Sequence, residues 1–169
     1  MKGIKTLVSF TAIAVCLGAA SMANAAKFSP DGTYASLASG TIVVKSPSSF
    51  GAPVTCGITF SGNVTSGVAT VTGASLTGGG LCGVPVLKNI PSPGWVLTAT
   101  SLTTADASGV GYTIASIPST NCGPSTLTGL VWDPTAHTLT GSGALSGGCT
   151  VSSLTLNVAT TPVALTIVP

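Results

Sequence analysis

Four cysteines, Cys56, Cys82, Cys122 and Cys149, are the residues of this chain best equipped for covalent chemistry, and a fifth, Cys16, lies in the N-terminal leader. The four fall into two near-equal intervals. An even set of cysteines in an exported chain forms disulfides by default. Zinc would need closely spaced ligand pairs, which are absent, and one histidine does not replace them, so no metal is expected. Pairing within each interval, Cys56–Cys82 and Cys122–Cys149, follows if the intervals are equivalent halves. Four cysteines allow three connectivities, and the spacing leaves the other two open.

Other reactive side chains are scarce. His137 is the only histidine, and Asp31, Asp106 and Asp133 are the only acids. His137 and Asp133 could supply two members of a nucleophilic triad, but no Gly-x-Ser-x-Gly elbow presents a serine. Isolated aspartates do not make the carboxylate pair of a glycosidase or the oxygen cluster of a calcium site. No phosphate-binding glycine loop occurs. The expectation is therefore no catalytic residue, no cofactor and no enzymatic activity. Trp95 and Trp132 are the candidate apolar-interface residues: exposed indoles would suit an oil–water boundary, buried ones would anchor a core. The alternation around Trp95 favours the core for that residue.

The elements that hold these residues belong to an exported chain. Met1-Lys2-Gly3-Ile4-Lys5, an uncharged apolar run and Ala23-Asn24-Ala25 form the head, middle and exit of a signal peptide over residues 1–25. The apolar run is too short for a membrane anchor, and bulky Val15 before Cys16 argues against lipid attachment there. Residues 26–169 then make a single secreted β-domain with no further stretch long and apolar enough to span a membrane. In it Lys27, Lys45 and Lys88 balance the three aspartates, and there is neither Arg nor Glu. Without a basic patch, nucleic acid is excluded as a partner. Near-zero net charge favours self-association or adsorption over dispersal by repulsion.

Alternation with a period of two dominates. Val54, Cys56, Ile58 and Phe60 share one face of a strand, as do Val110, Tyr112 and Ile114, and Leu154, Leu156 and Val158. Gly78-Gly79-Gly80, Pro91-Ser92-Pro93-Gly94 and Asp133-Pro134 punctuate these runs. The predicted fold is all-β: about eight to ten short strands in an antiparallel sandwich or Greek-key barrel, linked by disulfides. Two pseudo-repeated halves, about 36–100 and 105–168, are suggested by matching Cys-Gly dipeptides and by similar Gly-rich strings before Cys82 and Cys149. Outward faces carry Thr and Ser where Lys or Glu usually blocks edge pairing, so polymerisation through strand edges is open.

The strings Thr41 to Cys56, Leu81-Cys82-Gly83-Val84-Pro85, Trp95 to Thr100 and Cys122-Gly123-Pro124 resemble the secreted alkane-oxidation activator proteins (the Pra family) of Gram-negative bacteria. The resemblance covers most of the chain. It implies an extracellular or cell-surface accessory protein, exported through the periplasm, that promotes alkane dispersal or uptake alongside surfactant while other enzymes perform the oxidation. Its partners would be an apolar phase or the cell surface. The alternative is a pilin-like fibre subunit or adhesin of a biofilm matrix, with Val163 to Val168 as an exchanged strand.

Overall fold

The computed structural model describes residues 25–36, 39–158 and 164–169, and the leader lies outside them. Twelve strands follow in order: β1 (Lys27–Ser29), β2 (Gly32–Ala35), β3 (Gly40–Lys45), β4 (Val54–Thr65), β5 (Val68–Thr77), β6 (Val86–Leu87), β7 (Trp95–Ala99), β8 (Thr104–Ile114), β9 (Thr120–Asp133), β10 (Thr138–Leu145), β11 (Cys149–Asn157) and β12 (Thr166–Val168). Thr, Val and Gly dominate the strands, and the glycines fall where the sheet must bend.

Each barrel strand pairs antiparallel with the next in sequence: β3 with β4, β4 with β5, β5 with β7, then β8, β9, β10 and β11 in turn. β11 returns to β3, Leu154 opposite Ile42, and so closes an eight-stranded barrel. The expected barrel is present, but its strands run up and down; none makes a Greek-key crossing, and there are no separate sandwich sheets among the described residues. The cause is local, because each barrel strand returns to its predecessor's edge, and even the long connection from β5 through β6 delivers β7 there. β4 and β5 are joined by the two-residue turn Ser66-Gly67, with φ of 52° and 82°, the backbone a tight hairpin requires. Closure also revises the expectation about edges. The eight strands leave no free barrel edge for a neighbour to extend, and β12 pairs with β1 of the same chain. Val163 lies outside the described residues.

β2 and β3 pair with successive stretches of β4, and β6 and β7 with successive stretches of β8, so each couple acts as one broken strand. Register shifts at Ser61/Gly62 and Gly141/Gly143 curve the wall. At Gly62 a Cβ would stand 2.1 Å from the Thr70 carbonyl oxygen, so only glycine permits that approach.

The barrel has two unlike ends. At the far end, β1 and β12 form a two-stranded cover whose Phe28, Leu165 and Ile167 are buried in the core. Phe28 N–H donates to the Gly67 carbonyl at 3.0 Å and ties this cover to the β4–β5 hairpin. The near end carries the β3–β4, β5–β6, β8–β9 and β10–β11 connections. Leu127, Leu130, Val151 and Cys122 are the most deeply buried large side chains.

Candidate functional site

Both disulfides lie at the near end. Cys56 in β4 bonds Cys82 in the short helical turn Gly80–Cys82, and Cys122 in β9 bonds Cys149 at the start of β11, with Cα–Cα distances of 5.6 and 5.7 Å. The structure thus selects one of the three open connectivities. No group of three or more His, Cys, Asp or Glu able to hold a metal occurs among the described residues.

The three aspartates hold backbone rather than one another. Asp31 accepts from the Ser66 and Gly67 amides at 2.9 and 3.3 Å, and Asp106 from the Gly129 amide at 2.8 Å. Asp133 accepts from the Thr135 and Ala136 amides at 2.8 and 2.9 Å. Donation from Ala136, then from Thr135, lowers the Asp133 pKa below its usual range, with His137 adding a smaller effect in the same direction. His137 sits at φ 52° in the β9–β10 turn, its ring 6.3 Å from that of Trp132 in an edge arrangement. Lys88 Nζ donates to Asn121 Oδ1 and the Gly123 carbonyl oxygen. Asp31, Asp133 and His137 therefore serve turns, and Asp106 in β8 holds the backbone of β9.

The tryptophans point inward. Trp132 is 2 % exposed and belongs to the core, so it is no outer-surface contact; its place on β9 alternates with exposed Val131 and turns the indole inside. Trp95 is half-buried on β7, where its Nε1 donates to the Lys88 carbonyl at 2.8 Å. It lines an internal space rather than an external boundary. As external interface candidates, both tryptophans are displaced by residues whose exposure is set by loops.

Two apolar features stand out. The first is a rim. Phe50 is 84 % exposed and Ile117 fully so, with Val84 and Val86 also exposed. Phe50 follows the turn Pro47–Ser49 and adopts φ 52°, a conformation uncommon for a bulky residue. Its loop is fastened to that of Ile117 by Ser48, whose N–H donates to Thr120 Oγ1 at 2.9 Å and whose hydroxyl donates to the Pro118 carbonyl at 2.8 Å. Ser116 adds a hydrogen bond to Ser48 at 3.0 Å. Short runs of Ser and Pro at 46–49 and 116–119 were the only sequence signal of this arrangement.

The second feature is the lumen. A partly open cavity of about 70 Å³ runs inside the barrel, walled by Ile42, Phe60, Trp95, Leu97 and Leu130 among others and reaching Leu81 and Pro85 in the near-end connection. A second cavity of about 50 Å³ lies toward the β1–β12 cover and shares Phe60, Val71, Leu97, Leu139 and Leu156 with the first. No charged side chain lines either. Among the described residues, the hydroxyl of Tyr112, which lines the first cavity, and Nε1 of Trp132, which lines the second, are buried without a hydrogen-bond partner.

A match to the family described as alkane oxidation protein activator, PraA/PraB-like, extends over residues 1–169. The chain belongs to that family. No curated protein and no solved structure matches it. The PraA/PraB-like description is that of an activator. The disulfides suit an oxidising compartment, and no described helix is long and apolar enough to cross a membrane.

Proposed function

We propose that this protein is a secreted, non-enzymatic accessory to alkane oxidation that promotes hydrocarbon dispersal or uptake by adsorbing through its near end to the oil–water or cell–oil boundary. The observation that carries the reading is the rim of Phe50, Val84, Val86 and Ile117, presented by three connections at one end of a nearly uncharged barrel. Transfer of each side chain from water into oil contributes up to about 1.5–3 kcal/mol. The Ser48 hydrogen bonds hold the loops of Phe50 and Ile117 together before contact, which lowers the ordering cost of adsorption. The β1–β12 cover at the opposite end would leave the barrel intact while the rim is in the apolar phase.

The test is interfacial tension at a hexadecane–water boundary, together with emulsion lifetime. The native protein should lower the tension and prolong the emulsion; Phe50→Ser combined with Ile117→Ser should lose most of both effects while keeping its melting temperature. Full interfacial activity in that folded double variant would sink the reading.

A further inference from the structure

The adsorption reading uses the outside of the near end and leaves the lumen without a role. The two cavities lie inside the barrel and share the wall residues Phe60, Val71, Leu97, Leu139 and Leu156. Small barrels of this strand number either fill with side chains or hold one small ligand. Here the half-buried Ile42, Phe60, Leu76, Leu97 and Trp95 line the first cavity. Neighbouring apolar cavities of about 70 and 50 Å³ suit a slender, unbranched chain better than a bulky ring-shaped molecule.

One polar feature breaks the apolar lining of the first cavity. Tyr112 is only 7 % exposed, and its hydroxyl is unpartnered among the described residues. Ser46, 3 % exposed, lines the same cavity. Tyr112 pairs with Leu87 and Cys122 on the neighbouring strands, which places it near the disulfide-bearing end. A buried hydroxyl without a partner is costly, and a ligand group that both donates and accepts would relieve it. Burial also raises the phenol pKa above 10.0, partly offset by the Ser46 hydroxyl, which lies close enough to favour the phenolate without forming a hydrogen bond of normal geometry, so the group stays neutral at ordinary pH.

An ionised ligand has no counter-charge here. No Lys or His lines the cavity, and Lys88 is held by Asn121 and Gly123. A carboxylate would lose its water without gaining a cation.

We infer that the lumen is a binding site for a single unbranched alkyl chain bearing one uncharged terminal hydroxyl, a primary alkanol, with the hydroxyl at Tyr112 and Ser46 and the chain running toward Leu97 and Leu139. The site is independent of the rim, so either can fail without the other.

Calorimetry and tryptophan fluorescence on the purified protein with both bridges intact, titrated with octanol, octane and octanoate, test the assignment. Octanol should bind about fivefold or more tightly than octane, the scale of one net hydrogen bond, and octanoate should bind most weakly. Tyr112→Phe should bring octanol down to the affinity of octane and leave octane unchanged. Trp132→Phe should keep the preference. Leu97→Trp, or Ile42→Phe if that variant does not fold, should weaken both neutral ligands, whereas the folded Phe50→Ser/Ile117→Ser protein should bind octanol normally. No binding of octanol by the native protein would overturn the assignment. So would equal affinity for octanol and octane, octanoate binding as tightly as octanol, or a preference that depends on Trp132 rather than Tyr112.

Discussion

Aligned on their cysteines, the stretches β3–β7 and β8–β11 each supply four barrel strands and one disulfide of nearly equal span, 26 and 27 residues, yet they pack differently. In the second stretch the inward side chains Leu127, Leu130, Leu139, Leu145, Val151 and Leu154 are buried, and Leu156 partly so. In the first, Ile42, Val44, Phe60, Leu76, Leu87, Leu97 and Trp95 are only partly buried. The bridges reflect this. Cys122–Cys149 ties two adjacent corners of a packed wall across the Gly147-Gly148 turn, whereas Cys56–Cys82 fastens the long β5–β6 connection, which carries Leu81 and Pro85, beside the cavity. Both stretches wall the first cavity, and the first stretch supplies most of its half-buried lining.

The chain-entropy argument alone cannot separate the bridges, since closing loops of 26 and 27 residues is worth about 3–4 kcal/mol in either case. The difference must come from the folded state. Replacing Cys122 and Cys149 together by alanine should cost that full amount or more and cripple folding, because this bridge joins two barrel strands, β9 and β11. The corresponding Cys56/Cys82 pair should cost less and chiefly loosen the β5–β6 connection. Denaturant midpoints of the two double variants check the order, and equal losses would erase the contrast between the stretches. A smaller effect sharpens it: Leu130→Ala should cost about 2–5 kcal/mol because that side chain is almost wholly buried, and Leu97→Ala about 1–2 kcal/mol because that side chain is only partly buried. Both are measured by equilibrium unfolding.

Much of the wall was legible in the residues. The alternation of Val54, Cys56, Ile58 and Phe60 places all four on the inward side of β4, where they line the cavity, and Ser66-Gly67 marks its hairpin. What stayed illegible was non-local. Period-two patterning gives each strand its inner face but not which strand closes on which, so β11 meeting β3 could not be told from a Greek-key arrangement. The lumen depends on how far opposed side chains fill the centre: Leu127 and Leu97 are the same residue type, one buried and the other only partly so, a difference that composition does not carry. The rim was hidden differently. Phe50 reads as an ordinary aromatic residue until the Pro47–Ser49 turn and the contact of Ser48 with Thr120, seventy-two positions away, force it outward.

The smallest contrast concerns the two hairpin turns. Asp31 reaches the β4–β5 turn from a distant part of the chain, whereas Asp133 holds the amides of its own β9–β10 turn. Because those amides depress the Asp133 pKa, the ionised form is favoured in the folded state. Its stabilising effect is therefore present above the ordinary value near 3.8 and disappears as pH falls through the lower, folded-state value. Asp133 is fully exposed, so the global stability change should be slight, with a local signature. Hydrogen exchange at Thr135 and Ala136 should accelerate, relative to the intrinsic rate, on acidification below that range, and Asp133→Asn should flatten the response while leaving the β4–β5 turn untouched. A pH response that survives Asp133→Asn would place the sensitive contact elsewhere and remove the distinction between a turn held by its own carboxylate and one held from afar.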